Sequence, residues 1–583
     1  MFSIQNQTLL RFTRGELISG EQAARVHELA RRILQEVGLE VRHAGALERL
    51  RAEGFRVSGG RVFFEPALVD EYVDEMRQWI HPRQRIQNPD PLPEREREHP
   101  HPDPLPERER EHPHPDPLPE REREHPHPDP LPGREREHPH PGPLPERERE
   151  HPHPGPLPGR EREHPHPGPL PGREREHSPL PLREGQGEGG SHPDSPPHEE
   201  PLTLSVSTYS LYVHDVEADC VVPYTTDRLI EMCKLVDSLA DDGIYGAPPG
   251  IPADEPPDLQ PVAQYRIAAL YARQGATPVD PTSARTVNYL LDMAEVMGRP
   301  IHGLPVYMPT PLRLGGESLD VVLACLERLS HVAVSSMPST GASAPIHPFG
   351  ALALAAAELM GGMVAVRLLT GKPVTFAVNI FPFDLRATAM VFGSPENMLF
   401  QMLCRDLNRF YGWDWDPAPD NVHVMAKLPD TQSAAEKASI MALGAFLGAR
   451  HFSCAGTLSL DEIFSPVQLL VDCEIRDWVQ RAIQGVWLGE EAVDDWLAEV
   501  RAGVERGFMG LDSTLDHYRR HVWYPRHFQR GAIGPWLAAG QPCLSDRLRD
   551  EVRRRIAAHD FELDADRRRE IERIYQAARS AVV

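Results

Sequence analysis

Cysteine is scarce in this sequence and basic residues are in deficit. The chain has seven cysteines in 583 residues, none of them in a CxxC pair. Scattered cysteines in odd number argue against a disulfide framework and indicate reduced thiols in the cytoplasm. Lys and Arg number 62 against 87 Asp and Glu, a formal net charge of -25. Without a clustered basic face outside the repeats described below, nucleic acid is not an expected partner.

Targeting and membrane-spanning signals are also missing. The first six residues, Met1 to Asn6, show no basic region followed by an apolar core, so no signal peptide is predicted. The most apolar stretch runs over residues 350–369 and contains Glu358 and Arg367. These charges favour a buried helix over a membrane span.

The N-terminal segment, residues 1–88, predicts a small α/β unit. Ser19 and Gln22 have the spacing of a capping box, and an apolar stripe at helical spacing follows. The stripe consists of Val26, Leu29, Ile33 and Val37, and Gly38 is the expected stop. A short strand is predicted at 61–64 and a helix at 66–80.

Residues 89–201 contain a thirteen-residue repeat rich in Pro, His, Glu and Arg. Units begin at Asp90, Asp103, Asp116, Asp129, Gly142, Gly155 and Gly168. One Leu and several prolines per unit cannot propagate a helix or build a core, so a disordered insert is predicted. Its His-Pro-His pairs allow metal capture as an alternative, which proline and flexibility oppose.

From residue 202 onward, short β-like runs alternate with longer helical patterns. Strands are expected at 243–246, 300–307, 331–336, 373–380, 422–425 and 449–453, and helices at 226–239, 283–297, 318–329, 351–369, 395–410 and 434–447. Repeated βα units predict an α/β fold with a parallel sheet, a (β/α)8 TIM barrel over 202–540. Helices are expected at both ends, the last ones in 541–583. No GxGxxG motif follows an early strand, which weakens a dinucleotide-binding alternative.

Polar side chains after strand ends are the first site candidates in a barrel. The substrate-binding candidates from these loops are His347, Asn379, Phe381, Phe383, His423, Lys427 and Asp430. Lys427 and Asp430 equally fit a helix N-terminus, and His347 fits a structural histidine. The two phenylalanines equally fit core or rim positions. No catalytic residue is assigned.

A zinc site is the metal alternative. His451, Cys454 and Cys473 are its potential ligands, but three ligands do not recur at strand ends with convincing spacing. No bound metal is therefore expected.

Several separated motifs resemble the trimethylamine methyltransferase family. They are residues 33–41 (ILQEVGLEV), 341–345 (GASAP) leading to Ala357 and Glu358, 393–396 (GSPE), and Lys427, Pro429, Asp430, Gln432, Glu436 and Lys437. The resemblance covers the chain outside the insert. It implies a corrinoid-dependent methyltransferase on a TIM barrel, in methylamine metabolism of the methanogenic type. It also implies a corrinoid (cobalamin) carried by a cognate partner protein, and the chain is expected to form a homo-oligomer.

One departure from that family bears on the substrate. Its members acting on trimethylamine carry pyrrolysine shortly before the Lys-x-Pro-Asp motif, whereas residues 421–426 here are ordinary. The chain therefore resembles the non-pyrrolysine branch, whose known members demethylate quaternary amines such as glycine betaine. A quaternary ammonium already carries its charge and leaves as a neutral amine, so it needs no further activation.

Loop position then suggests roles for the candidates. Phe381 and Phe383 would form an aromatic cage for the trimethylammonium head, worth about 0.5–2 kcal/mol per good contact. His347, Asn379 and His423 would orient the other end of the substrate. A zinc-dependent barrel methyltransferase and a non-catalytic betaine-binding barrel stay open as alternatives.

Overall fold

Helix α1 (Gly20–Glu36) begins where the capping box predicts. The Ser19 hydroxyl accepts the Gln22 N–H, and the Gln22 side chain accepts the Ser19 N–H. Gly38, at φ 75°, follows the helix end. The buried residues of α1 are Ala23, Val26, Ala30 and Leu34, so the buried stripe lies about one turn closer to the N-terminus than the predicted one. Val37 is exposed because it lies beyond the last turn, at the C-cap.

The computed structural model describes residues 16–87, 200–275, 279–414, 418–489 and 491–582, and the backbone of two short strands before them. The predicted disorder of the insert therefore lies outside the described residues, apart from Glu200 and Pro201. The N-terminal elements are β1 (Phe2–Ile4), β2 (Leu10–Phe12), α1, β3 (Leu39–Val41), α2 (Ala44–Ala52), β4 (Arg56–Ser58), β5 (Arg61–Phe63) and α3 (Pro66–Gln87). The predicted strand and second helix are thus confirmed.

The central region alternates strands and helices as predicted. Its elements are β6 (Thr203–Val206), β7 (Tyr212–Asp215), β8 (Cys220–Pro223), α4 (Thr226–Asp237), β9 (Ile244–Tyr245), α5 (Gln260–Tyr271), α6 (Val287–Val296), β10 (Gly303–Tyr307), β11 (Arg313–Leu314), α7 (Glu317–Ala324), β12 (His331–Ser335), α8 (Pro348–Thr370), β13 (Val374–Phe376), β14 (Phe383–Asp384), β15 (Ala389–Met390), α9 (Pro395–Phe410), α10 (Thr431–Phe446), β16 (His451–Ala455), β17 (Thr457–Leu458) and β18 (Ile463–Phe464). All six predicted helices occur, and α5 was not predicted.

The principal strands pair in parallel in two sheets, with the orders β16-β6-β9 and β10-β12-β13. The protein is therefore a mixed α/β protein with parallel sheets. Strand pairing among the described residues does not join the two sheets into one closed barrel. The predicted strand at 422–425 is wrong as an element: only single bridges occur there, from Asn421 to Ser453 and from Val424 to Leu460.

Burial alternates along the parallel strands β6, β10 and β12 and in the first part of β16, whereas all of β13 is buried. Leu204, Val306, Val334 and Phe452 are almost fully buried, whereas the residues directly before and after each of them in its strand remain partly accessible. A strand residue points to the opposite face from its neighbour. One face of each sheet is therefore packed, and the other faces an accessible space, which we call the open face.

Helix α8 has the length and apolar character that would suit a membrane span, but 83% of its most apolar window is buried inside the protein. Small residues allow this close packing. A Cβ on Gly361 would lie 2.7 Å from Leu34 of α1. The prediction of a buried helix in this stretch agrees with its position.

The chain ends in helices, as expected. They are α11 (Pro466–Ile483), α12 (Val493–Arg506), α13 (Asp512–His521), α14 (Ile533–Ala538), α15 (Leu544–Ala557) and α16 (Ala565–Val582). In α15, Leu548 and Val552 are buried. The N-cap of α15 is Cys543.

Deletion of residues 89–201 should leave folding and turnover nearly unchanged. The repeats lack the apolar side chains needed to contribute a core, and a shorter connection costs less entropy to close. Thermal unfolding and turnover of the deletion variant test this. Loss of either one would show that the insert supports the fold or the site.

Candidate functional site

A cluster of two tyrosines and one aspartate lies at the carboxyl ends of the strands. Tyr307 is the last residue of β10, Tyr209 follows β6, and Asp280 precedes α6. Both tyrosine hydroxyls donate hydrogen bonds to the same carboxylate oxygen, Asp280 Oδ2, and the two hydroxyl oxygens are 3.4 Å apart. We call these three residues the Tyr–Asp–Tyr cluster.

The cluster combines one carboxylate with two accessible aromatic rings. Tyr209 is 45% exposed, and Tyr307 is 44% exposed although it belongs to strand β10. Burial of the hydroxyls and the nearby Asp280 raise the pKa of both tyrosines, so they stay neutral donors. A carboxylate beside aromatic faces suits an organic cation, because both attract positive charge.

Sequence reasoning missed this cluster. Tyr209 is 71 residues from Asp280 and 98 residues from Tyr307, so no local pattern connects them. The available signal was a lone acidic residue, Asp280, in the connection before a predicted helix.

His423 is the most unusual of the predicted residues. Neither ring nitrogen has a hydrogen-bond partner, and both nitrogen atoms are buried. The ring packs edge-on against Phe392, with 5.0 Å between centroids. Burial, with a smaller effect of Lys437, lowers its pKa to about 3. A neutral buried imidazole must keep one N–H, which costs free energy unless a ligand or water accepts it.

Asn379 and Phe381 line one cavity of about 290 Å³ beside β13. Phe381 also contacts Phe392, at 5.2 Å between ring centroids, and Phe392 contacts His423. The structure therefore brings three predicted residues into one neighbourhood. Phe383 lies apart from this cavity lining, in the hairpin of β14 and β15.

Lys427 and Asp430 have local partners. The Lys427 ammonium donates to the Ser459 hydroxyl at 2.7 Å. Asp430 is the N-cap of α10 and accepts the N–H groups of Gln432 and Ser433. His347 occupies the N-cap position of α8, and its side chain is exposed. Their substrate-binding role stays a prediction.

Other residues of the recognised motifs fix the loops around the open face. Glu358 accepts hydrogen bonds from the Thr310 hydroxyl and the Leu312 N–H, both 2.7 Å, and burial raises its pKa. Ser394 caps α9, with Pro395 in the first turn. Glu358 and Ser394 can therefore hold these loops in shape without touching a ligand themselves.

Lys437 forms a fully buried ion pair beneath the site. Its ammonium contacts Asp472 at 3.0 Å and the Cys454 carbonyl at 3.1 Å. Asp472 also accepts the Gly456 N–H and the Gln468 amide. The pair therefore ties α10 and α11 to the end of β16.

The candidate zinc ligands have other surroundings. His451 contacts the hydroxyls of Thr203 and Ser205 on the open face, whereas Cys454 is buried. Burial raises the pKa of Cys454 and of Cys473 to about 12, which disfavours their thiolate forms. Within the described ranges, no group of three His, Cys, Asp or Glu side chains could hold a metal ion.

The chain is an α/β protein with a polar, accessible cluster at the carboxyl ends of parallel strands, the edge at which proteins of this class usually bind their ligands. The trimethylamine methyltransferase (MTTB) family model matches residues 3–91 and 292–582. The chain belongs to this family. The matched ranges include Tyr307 and His423 but not Tyr209 or Asp280.

Individual relatives are more distant. The chain is 30% identical to trimethylamine methyltransferase MttB of Methanosarcina barkeri over 295 residues, 50% of this chain and 58% of that protein. It is 24% identical to proline betaine:corrinoid methyltransferase of Eubacterium limosum over 275 residues, 46% of this chain and 55% of that protein. The chain thus spans little more than half the length of these curated relatives. The monomethylamine methyltransferase structure from Methanosarcina barkeri aligns with a TM-score of 0.31 and 12% identity, over 62% of this chain and 74% of that one.

The buried state of His423 predicts a pH effect on stability. Its pKa is about 3 in the folded protein, against about 6.5 in an unfolded chain. Below pH 6.5 the unfolded chain binds a proton that the folded protein does not, so stability falls by up to about 1.4 kcal/mol per pH unit. His423→Phe should remove this contribution. Denaturant unfolding of both proteins between pH 4.5 and 7.5 tests it, and parallel curves would contradict it.

Proposed function

We propose that this protein transfers a methyl group from a quaternary amine to the Co(I) corrinoid carried by a partner protein. The Tyr–Asp–Tyr cluster carries the proposal, because it offers a carboxylate and two rings to a methylated cation at the strand ends. Family membership and the corrinoid methyltransferase among its relatives support the reaction type.

We also propose that the two parallel sheets belong to one TIM barrel. Within each sheet the neighbours follow chain order, and β16 returns beside β6, as the last strand of a barrel lies beside the first. The bridge from Asn421 to Ser453 adds a further parallel position next to β16. The Tyr–Asp–Tyr cluster would then lie at the mouth of the barrel.

The proposed substrate is a quaternary amine. Its ammonium head would contact the Tyr–Asp–Tyr cluster, and its polar end would reach the unpartnered ring of His423 or the side chain of Asn379. The absence of pyrrolysine from residues 421–426 fits the non-pyrrolysine branch.

The proposed chemistry is simple for the protein. The reduced corrinoid supplies the nucleophile that takes the methyl group. A quaternary amine leaves as a neutral tertiary amine, so the chain need not donate a proton during transfer. Its residues bind the cation, orient the transferred methyl group toward the mouth and exclude water. Tyr209 and Tyr307 keep Asp280 in place by their hydrogen bonds.

A partner protein could dock on the loops around the strand ends. These loops expose the large apolar side chains of Met337, Ile346, Leu385 and Leu428, and Phe349 in the first turn of α8 is exposed as well. Such a surface, next to polar strand ends, suits a protein partner that presents its cofactor to the mouth.

A homo-oligomer in the cytoplasm is the proposed state. Helix α12 exposes one apolar stripe at helical spacing, consisting of Val493, Trp496, Leu497, Val500 and Val504. A second copy covering it would remove this surface from water. Exposed free cysteines at 220 and 543 fit a reducing compartment.

The proposal is tested by a spectroscopic screen. The protein is mixed with free Co(I) cobalamin and, in turn, glycine betaine, choline, carnitine, proline betaine and trimethylamine. We expect methylated cobalamin with at least one quaternary amine and none with trimethylamine. Methylation with trimethylamine alone would overturn the substrate class. Calorimetric binding of a betaine without any methylation would favour the non-catalytic alternative.

A further inference from the structure

A gap separates β13 from the segment 418–424 in the wall of the parallel sheets. Segment 418–424 bridges to Ser453 on one side, and β13 pairs with β12 on the other. No strand pairing joins β13 to this segment among the described residues. The two edges that face each other therefore leave backbone groups that need other partners.

Amide side chains of α9 satisfy these groups. Asn408 accepts the Val378 N–H at 2.7 Å and donates to the Val378 carbonyl at 3.0 Å. On the other edge, Gln401 accepts the N–H groups of Asp420 and Asn421 at 3.3 and 3.2 Å. Asn408 is only 1% exposed. Because both edges have side-chain partners, the gap is a stable part of the fold.

The gap contains the cavity of about 290 Å³ described above. This volume is far larger than the ~30 Å³ of one water molecule and approaches that of small-ligand pockets. The lining includes Ala377 and Asn379 of the open-face side and Cys404 of α9. The cavity therefore reaches from the open face to the helix layer.

The two ends of the cavity differ in character. Near the open face, the aromatic rings of Phe381 and Phe392 lie 5.2 Å apart. Toward α9, the lining includes Arg405 and Asp420, a partly exposed ion pair that solvent reaches. Aromatic walls suit a methylated amine, and a solvent-accessible outer end gives it an exit.

We propose that this cavity is a side passage through which the amine enters and the demethylated product leaves while a partner covers the mouth. The proposal rests on the proposed function. A partner docked on the apolar loops would block the open end, so the amine could not enter, nor the product leave, as long as the complex lasts. The methylated cobalt must still be exchanged before another turnover, but the side passage lets the amine reach a complex that has already formed and lets the product leave it.

Two variants narrow the passage from different sides. Ala377→Leu adds volume from the strand, and Cys404→Met adds volume from α9. Each is assayed with glycine betaine, or with the best quaternary amine of the screen. The methyl acceptor is either free cobalamin, which leaves the mouth open between encounters, or the cobalamin-loaded corrinoid protein that supports turnover.

When the protein is first mixed with an excess of the Co(I) corrinoid protein and the amine is added afterwards, we expect both variants to methylate cobalt at least tenfold more slowly than the wild type, because the amine must wait for the partner to leave. With free cobalamin, both should stay within about twofold of the wild type. Equal rates with both acceptors, or an equal loss with both, would overturn the passage. A wild type that methylates neither acceptor would instead refute the proposed function.

Discussion

Asp280→Asn lowers kcat/KM for the quaternary amine by about 30- to 1000-fold. This range corresponds to about 2–4 kcal/mol, typical for removal of one member of a charge pair that becomes desolvated when the ligand binds. The substitution keeps the shape of the side chain and one oxygen for Tyr209 and Tyr307. It removes the negative charge that attracts the ammonium head. Steady-state kinetics and calorimetric binding of the amine measure the effect.

Two variants of Tyr307 distinguish the contribution of its ring to kcat/KM from that of its hydroxyl in the same assay. Tyr307→Phe keeps the aromatic face and loses one hydrogen bond to Asp280, so we expect a loss of only about fivefold. Tyr307→Ala loses the ring as well, so its kcat/KM should fall further.

Asp292→Asn is the matched control for Asp280→Asn, because it removes a surface carboxylate paired with Arg328. Unchanged binding in Asp280→Asn would remove the cluster from the substrate site.

Lys437→Met lowers the free energy of unfolding by about 3–5 kcal/mol, the usual cost of leaving one member of a buried ion pair without its partner. Both side chains are fully buried. Asp472 would keep the Gly456 and Gln468 hydrogen bonds, but its charge would be uncompensated. Denaturant unfolding measures the change.

The double variant Lys437→Met/Asp472→Leu should regain most of this stability, because no unpaired charge remains. Lys427→Met is the stability control. Its ammonium contacts the Ser459 hydroxyl, which also donates to Glu462 and so keeps a partner, and its loss should cost less than about 1.5 kcal/mol. A double variant as unstable as the single one would contradict the account of the pair.

Local sequence patterns predicted the elements well where neighbouring residues determine the structure. The capping box at Ser19, the Pro395 start of α9 and the N-cap at Asp430 depend on residues within one turn. The strand expected at 422–425 failed for a nonlocal reason. Its backbone pairs only through single bridges, from Asn421 to Ser453 and from Val424 to Leu460, with partners more than thirty residues away.

The site was only partly predictable for the same reason. Asn379 and Phe381 were selected because they follow an apolar run and His423 because it lies in a predicted strand, and their role in the site stays a prediction. Their common neighbour Phe392 was not selected, because nothing in its local sequence distinguishes it from a core residue. The Tyr–Asp–Tyr cluster joins three distant segments, and its Asp280 follows no strand that the pattern revealed.

The most direct test of the central claim is a single-turnover experiment with glycine betaine bearing three deuterated methyl groups, or with the quaternary amine that performs best in the screen. The products with Co(I) cobalamin are separated and measured by mass spectrometry. The account predicts one deuterated methyl group on cobalt for each tertiary amine released, and a rate reduced at least 30-fold in Asp280→Asn. Release of the amine without label on cobalt, or no release from any quaternary amine, would contradict it.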